Sequence, residues 1–222
     1  RPPMEQKQPL RKVALTTSAL SRSDGSCRLS FGKTTICAGI QGPTKVSRKR
    51  EKIDKAHIRC IVNHAQIAQK RASAIETAPY ERLLHSVMSS VILTALHPRT
   101  LIQIAVSVLE DDGSVISHII NTATMALIDA GVSMSTTLAA VSASIAADGT
   151  IKIDPTSEDE TDAIATLCFV FDASSTVIGC WTSGEVTPQQ FAAARESCKQ
   201  ASQSIRNLFQ LSSAQLYETP VQ

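Results

Sequence analysis

The chain has 222 residues, of which 43% are hydrophobic and 19% charged, and its 22 Lys and Arg against 20 Asp and Glu leave a net charge of +2. That length can bury a sizeable core, and the composition excludes wholesale disorder and a fibrous repeat. No apolar run approaches the roughly 20 residues that span a bilayer, and no basic start leads into an apolar segment as in a secretory signal. The expectation is an α/β (α+β) fold in a single domain over 15–211, with terminal extensions 1–14 and 212–222, no membrane contact and an intracellular, reducing compartment.

In chain order, Ser26 to Phe31 and Thr34 to Ile40 read as a hairpin around Gly32-Lys33, ended by Gly42-Pro43. Ala56 to Val62 alternates in part and is expected as a third antiparallel strand. Pro79 to Leu96 spaces Leu83, Leu84, Val87 and Val91 helically and stops at His97-Pro98. Leu101 to Leu109 carries Ile102, Ile104, Val106 and Val108 at period two, a buried strand that turns at Glu110-Asp111-Asp112-Gly113. A second apolar helix is expected over Ser117 to Ala130, capped by Gly131.

Leu138 to Ile145 and Thr150 to Ile153 flank Asp148-Gly149, a type I′ hairpin signal. Ala163 to Phe171 and Thr176 to Trp181 form another strand pair. Thr187 to Leu211 reads as a long amphipathic helix with Thr187 as N-cap, Pro188 at the first position, and Phe191, Ala194, Cys198, Ala201, Ile205 and Leu208 on one stripe. Strand pairs with helices between them predict sheets layered against helices.

Cys27, Cys37, Cys60, Cys168, Cys180 and Cys198 show neither CxxC nor zinc-ligand spacing. They are expected as buried free thiols, and no metal or other cofactor is expected. Charge is uneven: Lys45, Arg48, Lys49, Arg50, Lys52, Lys55 and Arg59 crowd one stretch, whereas Asp154 to Asp162 is acidic.

Three segments carry a resemblance: Ser23-Asp24-Gly25-Ser26-Cys27 with Gly32-Lys33-Thr34, His97-Pro98-Arg99-Thr100, and Asp112-Gly113-Ser114 leading to Ala126-Leu127-Ile128-Asp129-Ala130-Gly131. In this order, and over about Leu15 to Leu211, the chain resembles the ribonuclease PH family. The resemblance implies a ribonuclease PH fold and a six-membered ring of homologous subunits. Active members use phosphate to attack the terminal phosphodiester of RNA, which requires positive charge to hold two anions together. Arginine suits that task because its planar fork bonds phosphate at two points and stays charged.

The resemblance places the family's phosphate arginine on Ile116 and the threonine before it on Val115. It places the RNA-gripping arginines on Ser86 and Ser89, and the catalytic acidic pair on Glu160 and Thr166, with Asp159 or Asp162 replacing Glu160 if the alignment slips. Ser114 and Ser117 offer an anion only helix-start amides and hydroxyls, and a helix N-cap serine is the commoner role. Ser157-Glu158-Asp159-Glu160 reads most simply as a solvated acidic loop. His85 and His118 have no patterned nucleophile or metal partner and read as surface or partly buried histidines, while His97 serves its turn. Gly25 and Gly32 look like backbone-turn requirements.

The basic segment Lys45 to Arg59 is either an RNA-phosphate contact or a charged loop. Better candidates for RNA binding are Lys70, Arg71 and Arg82, before and within the helix whose equivalent faces the ring's pore in the family. With no catalytic residue expected, the resemblance implies a non-catalytic exosome ring subunit in nucleus, nucleolus and cytoplasm. Its implied partners are ribonuclease PH-type ring neighbours, RNA-binding cap subunits, an associated hydrolytic nuclease and single-stranded RNA. The alternatives are a residual phosphorolytic or metal-dependent 3′-to-5′ exoribonuclease, and a homodimer with an independent nucleic-acid role.

Overall fold

A computed structural model of the chain describes residues 11–64 and 73–218. Strands β1 (Val13–Thr17), β2 (Gly25–Phe31), β3 (Thr34–Lys45), β4 (His57–His64) and β5 (Thr100–Glu110) form one sheet in the order β1-β2-β3-β5-β4. Strands β6 (Ala139–Ile145), β7 (Ile151–Ile153), β8 (Ala165–Phe171) and β9 (Val177–Gly184) form a second, ordered β7-β6-β8-β9. The helices are α1 (Ser73–Val91), α2 (Val115–Asp129), α3 (Ser157–Asp162) and α4 (Pro188–Glu218). This is the expected α/β fold of two sheets layered against helices. The first strand starts at Val13 and the last helix runs to Glu218.

Helix α2 lies between the sheets, touching β2, β3 and β5 on one side and β6 and β8 on the other. Twelve of its 15 residues are buried, which is why its sequence is apolar nearly all round rather than striped. Its buried threonines and Asn121 are satisfied internally. Thr122 and Thr124 donate to the carbonyls of His118 and Ile120 at 2.7 and 2.8 Å, and Asn121 exchanges two 2.8 Å bonds with the backbone of Ala140 on β6. Facing it, Ile102, Ile104, Val106 and Val108 of β5 are buried at period two as expected, each contributing roughly 1.5–3 kcal/mol by burial.

The motifs that carry the family resemblance act as staples. Asp129 accepts from the N–H groups of Ser26 and Ser18 at 2.8 and 3.2 Å, tying the end of α2 to the β1–β2 connection. Asp24 accepts from Gly42 N–H at 2.7 Å. Gly32, at φ +57°, is the expected turn residue. Gly25 is not: its φ is not positive, and a Cβ there would lie 2.2 Å from Ala130 N, so it permits close approach of β2 to the end of α2.

Several expectations are corrected. Strand β4 pairs with β5 in parallel, from His57 opposite Leu101 to His64 opposite Val108, because α1 intervenes between the two strands and returns the chain in the same direction. Alternation along one strand carries no information about its partner's direction. Helix α1 begins at Ser73, leaving Pro79 inside it, and ends at Val91; Thr94–Leu96 is a separate 3-10 turn. Tertiary contacts end the helix there: Val91 O accepts from Ser135 N–H at 2.9 Å and Ile92 bridges Met134.

At Asp148-Gly149 only Gly149 has positive φ (+82°), and Ala146 N–H bonds Thr150 O at 3.0 Å, so the hairpin has a three-residue loop rather than a type I′ turn. The acidic run is not a solvated loop: it forms α3, opened by a capping box between Thr156 and Asp159.

Helix α4 packs on β6, β7 and β8. Ala194, Cys198 and Ile205 of the expected stripe are buried and Phe191, Ala201 and Leu208 half-buried, with Ser202 and Phe209 joining the buried face. Phe191 meets Phe169 edge-on at 5.1 Å. Thr187 Oγ1 accepts from Gln190 N–H at 3.4 Å, as an N-cap should. All six cysteines are free; Cys27, Cys168 and Cys198 are buried, Cys37 and Cys60 half-buried, and Cys180 is exposed, against the expectation of burial. Burial pushes the thiols of Cys27, Cys60 and Cys168 up to about 12, which keeps them unreactive. Among the described residues no helix is long and apolar enough to cross a membrane.

Candidate functional site

A cleft of about 260 Å³ opens between the β5–α2 turn, α3 and the second sheet. Asp111, Ser114, Val115 and Ile116 line one side, Glu160 and Thr166 the other, with Tyr80 of α1 and Trp181 of β9 at its walls. Four positions singled out by the family resemblance, Val115, Ile116, Glu160 and Thr166, therefore converge although they lie up to 51 residues apart in the sequence. Ser86 and Ser89 do not line the cleft; they are exposed on α1.

The charge of the cleft is negative. Asp111 and Glu160 are its charged lining residues, and no Lys or Arg joins them. Glu160 Oε1 accepts from Ser114 N–H at 2.8 Å, an anion already seated at the start of α2. Burial pushes the Glu160 carboxyl above its ordinary value, the Ser114 bond pulls against that, and Asp111 adds to the rise. A phosphate brought to ~4 Å from one of these carboxylates would meet about 4 kcal/mol of repulsion at an effective dielectric near 20.

Ser114 stands at the N-cap position but does not cap: it has φ +58° and its hydroxyl donates to Pro155 O at 2.9 Å. Ser117 is buried, donating to Ser114 O at 2.8 Å and accepting from Ser142 Oγ at 2.9 Å. Neither hydroxyl is directed to hold an anion. The remaining carboxylates of α3 diverge from Glu160. Asp159 bonds Thr156 and pairs with Lys152 at 2.5 Å, and the Lys152 and Thr156 bonds hold its carboxyl down at about 2. Glu158 and Asp162 are exposed. Among the described residues no group of three or more His, Cys, Asp or Glu is placed to hold a metal ion.

Arg11, in the stretch expected as an extension, was missed as a structural residue. Its Nε and Nη2 bond both oxygens of Asp154 at 2.9 and 2.7 Å, and its Nη1 bonds Asp112 O at 2.9 Å. His118 closes the cluster, with Nε2 at 3.2 Å from Asp154 and its ring stacked on Phe31 at 4.0 Å. Burial lowers the pKa of His118 against the pull of Asp154, and the ring is fully inside the core rather than at the surface or partly buried as expected. Burial alone would raise Asp154, but the Arg11 and His118 hydrogen bonds hold it well below the usual carboxylate range. This cluster fixes the approach to α3 against the Asp112-Gly113 turn, and so sets where Glu160 stands. In the sequence, only the acidic stretch Asp154 to Asp162 lay near it.

Of the expected RNA-binding residues, Arg82 is exposed on α1, and Lys70 and Arg71 lie outside the described residues. His85 is exposed and His97 half-buried, its carbonyl accepting from Thr100 Oγ1 at 2.7 Å.

Residues 9–133, which hold the first sheet and the central helix, match the model of the 3′ exoribonuclease family, domain 1. The chain belongs to this ribonuclease PH family. Within it, the chain is 30% identical over 164 residues to the exosome complex exonuclease RRP46 homolog of Arabidopsis thaliana, covering 73% of this chain and 66% of that protein. It is 32% identical over 167 residues to the exosome complex component Rrp41 of Archaeoglobus fulgidus, covering 73% of this chain and 64% of that protein. The crystal structure of rice (Oryza sativa) Rrp46 superposes with a TM-score of 0.81 at 25% identity, covering 93% of this chain and 96% of that one. The chain spans slightly less than two thirds of the length of these two curated relatives. These matches support an Rrp46-like exosome subunit, a likeness carried in the sequence by Leu96-His97-Pro98-Arg99-Thr100, Leu109-Glu110-Asp111-Asp112-Gly113-Ser114 and Asp154-Pro155-Thr156-Ser157.

Proposed function

We propose that the chain is a non-catalytic ring subunit of the RNA exosome core, scaffolding the complex and helping to guide single-stranded RNA to a separate 3′-to-5′ nuclease for processing and decay. The observation that carries this reading is the cleft, where Val115, Ile116 and Thr166 stand at the family's reactive positions and Asp111 and Glu160 supply only negative charge. Phosphorolysis needs the opposite sign there. Its family membership and its similarity to proteins named as exosome components support the assembly.

In that assembly the chain sits in a hexameric ring of ribonuclease PH-type subunits, beneath RNA-binding cap subunits and beside a hydrolytic nuclease. The edge strands β1, β4, β7 and β9 offer backbone groups to neighbours. Lys70, Arg71 and Arg82 contact RNA phosphates without reading bases. The assembly works in nucleus, nucleolus and cytoplasm, which a fluorescent fusion would locate.

The test is 3′-end degradation of a labelled single-stranded RNA by the purified chain, with and without phosphate and with metal chelated. No turnover under any condition is expected. Phosphate-dependent release of nucleoside diphosphates that stops on Glu160→Gln would replace this reading with a residual exoribonuclease.

A further inference from the structure

The cleft between the β5–α2 turn, α3 and the second sheet lacks a phosphate clamp but carries another set of groups. Asp111 and Glu160 share it with the rings of Tyr80 and Trp181, all four residues half-buried, and no Lys or Arg lines it. Asp111 is fixed by Gly113 N–H at 3.0 Å and by His64 Nε2 at 3.1 Å. Glu160 gives Oε1 to Ser114 N–H, and among the described residues no group donates to its Oε2. Arg11, whose field reaches Glu160, is committed to Asp154 through bonds of 2.9 and 2.7 Å. Burial and the nearby Asp111 hold the Glu160 carboxyl above its ordinary value, and a cation in the cleft would act against both.

We infer that this cleft binds an alkylguanidinium, carried by a free amine or by an arginine side chain of a partner protein. It rests on the reading that the cleft does not hold phosphate. The two carboxylates set the sign of the ligand, and the aromatic faces favour a cation over a neutral group. A planar guanidinium suits both, because its fork donates to two acceptors at once while its flat face lies against an indole or phenol ring. An ammonium is more strongly hydrated and loses more on entering a half-buried site. At about 260 Å³ the cleft is smaller than the pockets of about 300–1,000 Å³ that take drug-sized ligands, which fits one side chain or one small amine. Val115 and Ile116 give the aliphatic stem of such a ligand an apolar wall.

Trp181 is the only tryptophan of the chain, so its fluorescence reports on this cleft directly. The full chain, free of phosphate and RNA, is titrated at fixed ionic strength with agmatine, with N-acetylarginine amide, and with N-acetylcitrulline amide, which has nearly the same shape and no charge. Both guanidinium compounds should shift the emission saturably at millimolar concentration, and the citrulline compound should leave it unchanged. Glu160→Gln, which keeps an acceptor for Ser114, should weaken binding about tenfold or more. Ile116→Arg should abolish it, since its own guanidinium takes the place. Glu158→Gln/Asp162→Asn removes two exposed carboxylates from the same helix and should stay within about twofold of wild type. Binding of the capped arginine alone would assign the cleft to an arginine side chain, and binding of agmatine alone to a free amine; either upholds the site. An equal response to the citrulline compound, unchanged affinity in Glu160→Gln, or no saturable response to any of the three would overturn it. Phosphate-dependent RNA degradation would instead bring down the non-catalytic reading, whatever this titration shows.

Discussion

The carboxylate of Glu160 accepts the backbone N–H of Ser114 at 2.8 Å, so the start of the central helix is capped by an acidic side chain from 46 residues further along the chain. A helix start, a ready place for an anion in general, is here an internal contact. The positive end of α2 is satisfied by the protein's own charge, and an incoming phosphate must displace a tethered carboxylate as well as endure its repulsion.

The first consequence concerns phosphate. Replacing Ile116→Arg should not by itself create a phosphate site, because the new guanidinium enters a cleft already holding Glu160 and Asp111 and pairs with a carboxylate. Combining it with Glu160→Gln should bring phosphate binding into the millimolar range, about −4 kcal/mol. Isothermal titration with inorganic phosphate reads both variants, and equal affinity in the single and double variants would remove Glu160 from the explanation.

Glu160 should also mark the pH dependence of stability. Its folded pKa is raised by burial, so its favourable contribution is present below the ordinary value of 4.5 and is lost as pH rises through the folded pKa. At neutral pH the ionised carboxylate is therefore a cost. Glu160→Gln keeps an acceptor for Ser114 and should match or exceed the wild-type Tm at neutral pH, an advantage that shrinks towards acid. A clear loss of Tm at neutral pH would contradict the assignment.

Asp154 behaves in the opposite sense. Removing its charge by Asp154→Asn leaves the Arg11 guanidinium, whose side chain is only 16% exposed, without its bidentate partner. Breaking such a pair costs about 3–5 kcal/mol, or about 10 °C in Tm for a chain of this size. Because its folded pKa is depressed, its contribution is complete above the ordinary value of 3.8 and disappears as pH falls through the folded value. Thermal melts at descending pH should converge for wild type and variant in strong acid.

Gly25→Ala tests the close approach of β2 to α2. Its Cβ would fall 2.2–2.5 Å from atoms of Ala130, two of them backbone, so either the strand or the helix end must move. A loss of about 3 kcal/mol is expected at this overpacked contact, measurable by urea denaturation. Near-wild-type stability would show that the helix end is compliant.

Much of the fold was legible because it depends on local period. The β2–β3 hairpin, the alternation of Ile102 to Val108 and the stripe from Ala194 to Ile205 are each set by which side chains face a neighbour along one element. The largely apolar stretch Ser117 to Ala130 announced a helix without saying what would cover it. That the resemblance puts uncharged residues, Val115, Ile116 and Thr166, at its reactive positions was readable too, since a side chain's identity needs no geometry to be seen.

Tertiary structure alone decided the rest. The direction of β4 depends on where α1 returns the chain, and the end of α1 depends on Ser135 taking the carbonyl of Val91. The burial of Asp154 depends on Arg11, 143 residues away in the sequence. The acidic 157–162 run looked solvated because charge usually is; only the capping box at Thr156 and the Arg11–Asp154–His118 cluster turn Glu160 inward onto Ser114. Sequence determined which side chains this cleft carries, because identity at a position is local; structure determined how they are engaged, because hydrogen bonds and charge pairing act through space.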